Sequence, residues 1–161
     1  MKNPRALFLA CLLAGVLCLT GCRYITNFVV INGSNQPVEV WYILKKPAYA
    51  VPPDQSLRMA PAVRPISEMH QQTAWRDLSA SEYTFDPGKR KVTVSLEPGQ
   101  ALLIEQCAQV GREVDDAQQA EEFSIEEIAI TGANGEIKLH GEQARKSFLA
   151  ESKNTHTLTY H

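Results

Sequence analysis

From residue 25 onward, apolar and polar side chains alternate in short runs bounded by Gly, Pro, Asn and Asp, the pattern of strands with one face in a core. Residues 25–31 are rich in β-branched and aromatic side chains. In Val38–Leu44, the residues Val38, Val40, Tyr42 and Leu44 fall on one face, with Glu39, Trp41 and Ile43 on the other. Asn32-Gly33-Ser34-Asn35-Gln36-Pro37 between the two runs is turn chemistry, so the pair is expected to form a hairpin. Further strands are predicted over 82–85, at Val92, Val94 and Leu96, and over 101–106, 136–140 and 155–160. Asp86-Pro87-Gly88-Lys89, Glu97-Pro98-Gly99-Gln100 and Gly132-Ala133-Asn134-Gly135 supply turns. Residues 123–130 carry a parity fault: Phe123 and Ile125 share one parity, Ile128 and Ile130 the other. Both pairs face inward only if an extra residue is inserted, which predicts a β-bulge at Glu126 and Glu127.

Three stretches depart from alternation. Over 45–72, Pro47, Pro52, Pro53, Pro61 and Pro65 remove backbone donors too often for a helix or a central strand, so a long surface loop is predicted. Loops of this length are frequently functional, and Lys45, Lys46, Tyr49, Arg58 and Arg64, with Trp75 beyond them, are the residues expected to contact a partner. Residues 74–78 read as one helical turn with Trp75 and Leu78 on a shared face, and 107–122 read as a polar, acidic loop. Over 142–151 the spacing of Ala144 and Phe148, extended by Leu149, predicts the one convincing helix. About seven or eight short strands, a single helix in the C-terminal half and no βαβ repeat predict a mainly β chain, an antiparallel β-sandwich of immunoglobulin-like or transthyretin-like type. A lipocalin-like barrel is the alternative, but it would want longer and more even strands.

The first 22 residues follow other rules. Lys2 and Arg5 precede an uncharged run over 6–19, which is too short to span a bilayer comfortably and suits the apolar core of a secretory signal. The run ends in Leu19-Thr20-Gly21-Cys22, which resembles the lipobox of bacterial lipoprotein precursors. The resemblance implies removal of a signal helix at 1–21, diacylglyceryl attachment to Cys22 and acylation of the new N-terminus. Two or three chains on one residue would hold the 22–161 domain on a membrane, since stable anchoring needs more than one acyl chain. Arg23 stands where an aspartate would resemble an inner-membrane retention signal, so the expected location is the outer membrane, facing the periplasm.

Charge and cysteine use narrow the function. The whole chain carries 16 Lys and Arg against 18 Asp and Glu, and the signal takes away Lys2 and Arg5 and no acid, so the mature domain is mildly acidic. No basic stripe is present of the kind nucleic-acid binding requires. With Cys11 and Cys18 removed and Cys22 lipidated, Cys107 is the remaining thiol, open to packing, intermolecular pairing or chemistry. No Gly-x-Ser-x-Gly, His-Glu-x-x-His, Cys-x-x-Cys or glycine-rich phosphate loop occurs, and His70, His140, His156 and His161 stand singly. His140 and His156 are the least implausible metal pair, but two imidazoles fall short of what zinc usually requires. Asp115-Asp116 and Glu126-Glu127 read as solvated loop and bulge rather than as acid and base. The expected function is a monomeric, non-catalytic binding or assembly module, without cofactor or metal, whose partner is another envelope protein or an anionic envelope polymer. A small periplasmic hydrolase or inhibitor-type domain, with its site assembled from distant residues, is the alternative.

Overall fold

The alternating runs sort into two sheets whose apolar faces meet. The computed structural model of the chain describes residues 23–46, 61–69, 75–110, 123–152 and 154–161, so the segment read as a signal helix lies outside the described residues. In chain order the elements are β1 (Arg23–Asn32), β2 (Val38–Leu44), β3 (Ala62–Pro65), β4 (Arg76–Asp77), β5 (Tyr83–Asp86), β6 (Lys91–Leu96), β7 (Gln100–Val110), β8 (Ile125–Gly132), β9 (Gly135–His140), α1 (Gly141–Ser147), β10 (Leu149–Ser152) and β11 (Thr155–Tyr160). Sheet I has the order β10-β11-β1-β7-β3-β4 and sheet II the order β5-β6-β2-β8-β9. Both are open sheets, antiparallel except for the parallel β1–β11 pair, and they pack as the expected sandwich. Between them lie Phe28 and Val30 from β1, Val38, Val40, Tyr42 and Leu44 from β2, Val92, Val94 and Leu96 from β6, and Ile125, Ile128 and Ile130 from β8.

The bulge falls where the parity fault requires it. The β2–β8 register pairs Ile43 with Glu127 and Leu44 with Ile125, leaving Glu126 as the extra residue, and Ile125, Ile128 and Ile130 are all fully buried.

The expected hairpin between β1 and β2 is not formed, because the two strands belong to different sheets. The turn residues make a corner from sheet I to sheet II, organised by the wholly buried Asn32. Its Nδ2 donates to the carbonyls of Gln36 (2.8 Å) and Leu96 (2.9 Å), and its Oδ1 accepts from the Ser34 N–H (3.1 Å) and hydroxyl (2.7 Å). Tyr160 fastens the same end: its hydroxyl accepts from the Asn134 N–H (3.0 Å) and donates to the Gly135 carbonyl (3.0 Å). Gly132 is required there, since a Cβ would lie 2.8 Å from both the Tyr160 ring and Val38.

Four other expectations are corrected. Part of the 45–72 stretch is sheet: β3 pairs with β7 from Ala62↔Leu103 to Pro65↔Gln100, with Pro61 just before the strand and Pro65 at its end. Trp75 and Leu78 share no helical face. Arg76 and Asp77 between them are extended as β4, and Leu78 joins the inner core while Trp75 packs on the outside of sheet I. The predicted 142–151 helix stops at Ser147. Phe148 is buried but has extended backbone (φ −80, ψ 111), and Leu149, 71% exposed, begins β10. The acidic 107–122 stretch likewise starts as strand, β7 continuing to Val110.

Candidate functional site

Two outward-facing surfaces gather side chains with binding chemistry. On the outside of sheet I, Val29, Ile31, Ala62, Ala101 and Leu103 form a second buried cluster, over which Ile66, Met69 and Trp75 pack partly exposed. Arg64 extends from β3 opposite Ala101, with its guanidinium carbon 4.0 Å above the Trp75 ring and Nη1 donating to the Glu68 carbonyl (3.3 Å). Arg64 as a residue is 9% exposed, and burial lowers its pKa, with the Glu68 charge acting in the opposite sense. A cation–π contact of this kind is worth about 0.5 to 2 kcal/mol, rising with desolvation. Arg64 therefore braces Trp75, and the part of this group that faces solvent is the half-exposed indole.

Of the six residues expected to contact a partner, four are described, and among these the structure brings together Arg64 and Trp75. Lys45 and Lys46 are exposed just past β2, in the other sheet and at the opposite end of the sandwich, where the Lys45 N–H donates to the Ser124 carbonyl (2.7 Å). Tyr49 and Arg58 lie outside the described residues.

The second surface was not singled out from the sequence. Trp41, central on the outer face of sheet II, stands opposite Thr93 on β6 and Ala129 on β8, small neighbours that leave its ring half-exposed. Lys91 Nζ lies 4.1 Å and Lys138 Nζ 5.2 Å from the ring centroid. Lys138 also pairs with Glu127 (2.8 Å), whose hydrogen bond raises the lysine pKa, and His140 Nδ1 lies 3.5 Å from the same carboxylate. Alternation alone places Trp41 outward, but the lysines reach it through strand order, which local sequence does not encode. A lone Trp at an outward position was the available signal.

Inside the sandwich, His156 stacks on Phe28 with centroids 5.4 Å apart, and its buried Nδ1 has no hydrogen-bond partner. Burial lowers its pKa, and the nearby Arg145 charge adds to the effect. His140, on the outer face of sheet II, and His156, against the core, are not brought together as a metal pair. Among the described residues no three His, Cys, Asp or Glu side chains converge. Tyr42, fully buried, has its pKa raised by burial first and then by the Glu105 charge, and Glu105 accepts from the Ser124 N–H (3.0 Å). Glu126 and Glu127 pair separately, with Arg90 (3.3 Å) and with Lys138. Asp115-Asp116 and the side chain of Cys107 lie outside the described set. What these groups offer chemically is contact: half-exposed indoles, ammonium groups and carboxylates already held in ion pairs. The chain matches no protein-family model, no curated protein and no solved structure.

Proposed function

We propose that the chain is a bacterial lipoprotein, anchored through acylated Cys22 to the periplasmic side of the outer membrane, whose sandwich serves as a non-catalytic binding or assembly module. The observation that carries this reading is the pairing of β1 with β7 from Arg23, the residue after the lipobox cysteine. Cleavage before Cys22 would leave every described strand intact and put the lipid on the residue before a strand that pairs with β7 from Arg23 onward. The partly exposed Trp41 and Trp75, each held by a basic side chain, support a contact role, since indoles supply large rigid area at low entropic cost. Another envelope protein or an anionic envelope polymer fits such surfaces as a partner. Detergent phase separation tests the anchoring: wild type is expected in the detergent phase, and Cys22→Ser as unprocessed precursor or in the aqueous phase. Equal partitioning of processed wild type and Cys22→Ser would overturn it.

A further inference from the structure

One end of the molecule is built differently from the other. Four pairs of the β1–β7 ladder, Arg23↔Val110, Tyr24↔Gln109, Ile25↔Ala108 and Thr26↔Cys107, lie beyond the point where either strand has a second neighbour among the described residues. β11 begins opposite Asn27, and β3 reaches only to Ala62 opposite Leu103. Sheet II ends at the same level, because the Lys45 N–H bonds to Ser124 and the Ser124 N–H to Glu105, the residue opposite Phe28. Among the described residues the result is a two-stranded ribbon about 14 Å long, at about 3.4 Å per residue, with Thr26 on it 5% exposed. Such a ribbon is marginal in water by itself. Ile25 on it is 50% exposed, one of two large apolar side chains so exposed among the described residues.

We infer that this ribbon is the face on which the domain rests against the lipid bilayer, with β1 running away from the membrane. The inference depends on the acylation of Cys22 proposed above. Consecutive Cα atoms are about 3.8 Å apart, so an acylated Cys22 leaves no spacer between the headgroups and Arg23. A flexible linker would let the domain tumble, whereas a strand that starts at the anchor sets one end down. The corner at 33–37 and the turn at 133–134 then point into the periplasm. The exposed Ile25 and the tether supply the attraction.

The test uses the processed lipoprotein in vesicles of phosphatidylethanolamine and phosphatidylglycerol containing a headgroup-nitroxide lipid. In a Cys107→Ser background, Ile25→Cys and Ala133→Cys are each labelled with a fluorophore; Ala133 is exposed in the turn at the far end. Quenching several-fold stronger at position 25 than at 133 is expected. Equal quenching on protein whose mass carries the acyl chains overturns the ribbon contact alone. Disulfide crosslinking between two copies of unlabelled Ile25→Cys protein on adding an oxidant would make a second copy the occupant and also overturn it. An unacylated mass overturns the contact and the anchoring together. Should Cys107→Ser not fold, amide exchange on wild-type lipoprotein in the same vesicles replaces the labels. The ribbon amides should exchange more slowly than in the Cys22→Ser protein, with those of 33–37 unchanged, and no slowing would overturn the inference.

Discussion

Asn32 makes four side-chain hydrogen bonds with no exposure to water. Asn32→Ala would leave the Leu96 carbonyl without that donor at the buried corner, at an expected cost of about 2 to 3 kcal/mol. The urea midpoint should fall while the slope of the transition stays unchanged. His156 acts through pH. Its folded pKa lies below the ordinary 6.5 because burial disfavours the imidazolium, so between the folded and unfolded values the unfolded chain binds the proton more readily. The contribution is intact above the unfolded value and is lost as pH falls through the folded one. Wild type should lose stability from about pH 7 downward, and His156→Gln should lose less over the same range when unfolding is followed by urea titration at several pH values.

At the scale of elements, α1 and β10 depend on one side chain. Phe148 closes the helix and enters the core against Phe28 (5.5 Å between centroids) and Phe123 (6.0 Å), while its neighbour Leu149 lies in water. Phe148→Ala is expected to cost about 3 to 5 kcal/mol, and Leu149→Ala less than about 0.5 kcal/mol, by the same urea measurement. The predicted helix runs to residue 151 because Phe148 sits four residues after Ala144 and Leu149 follows it, and spacing does not distinguish a side chain that ends a helix from one that continues it. The bulge at Glu126 was legible because four apolar side chains had to face one way. The β1–β2 corner was not, since Asn-Gly-Ser turns a chain within one sheet or between two, and the choice rests on the carbonyl of Leu96, distant in sequence. β3 was hidden by its prolines, whose cost is small at the two ends of a short strand. Of the surfaces, Trp75 was named from composition, but its Arg64 brace and the Lys91 and Lys138 neighbours of Trp41 follow from long-range register.

For the whole molecule, the β-sandwich class was written in the chain, in alternation spread over more than a hundred residues, while the proposed address rests on four. Partner chemistry was not, because the binding groups come together only after two sheets have formed. The proposed anchor ties these scales together, fixing Arg23 at the bilayer and with it the direction of β1. Intact-mass analysis of wild-type protein extracted from membranes tests this most directly. The expected mass is that of a chain beginning at Cys22 with diacylglyceryl and N-acyl groups; a chain retaining residues 1–21, or one with an unmodified cysteine, would contradict it.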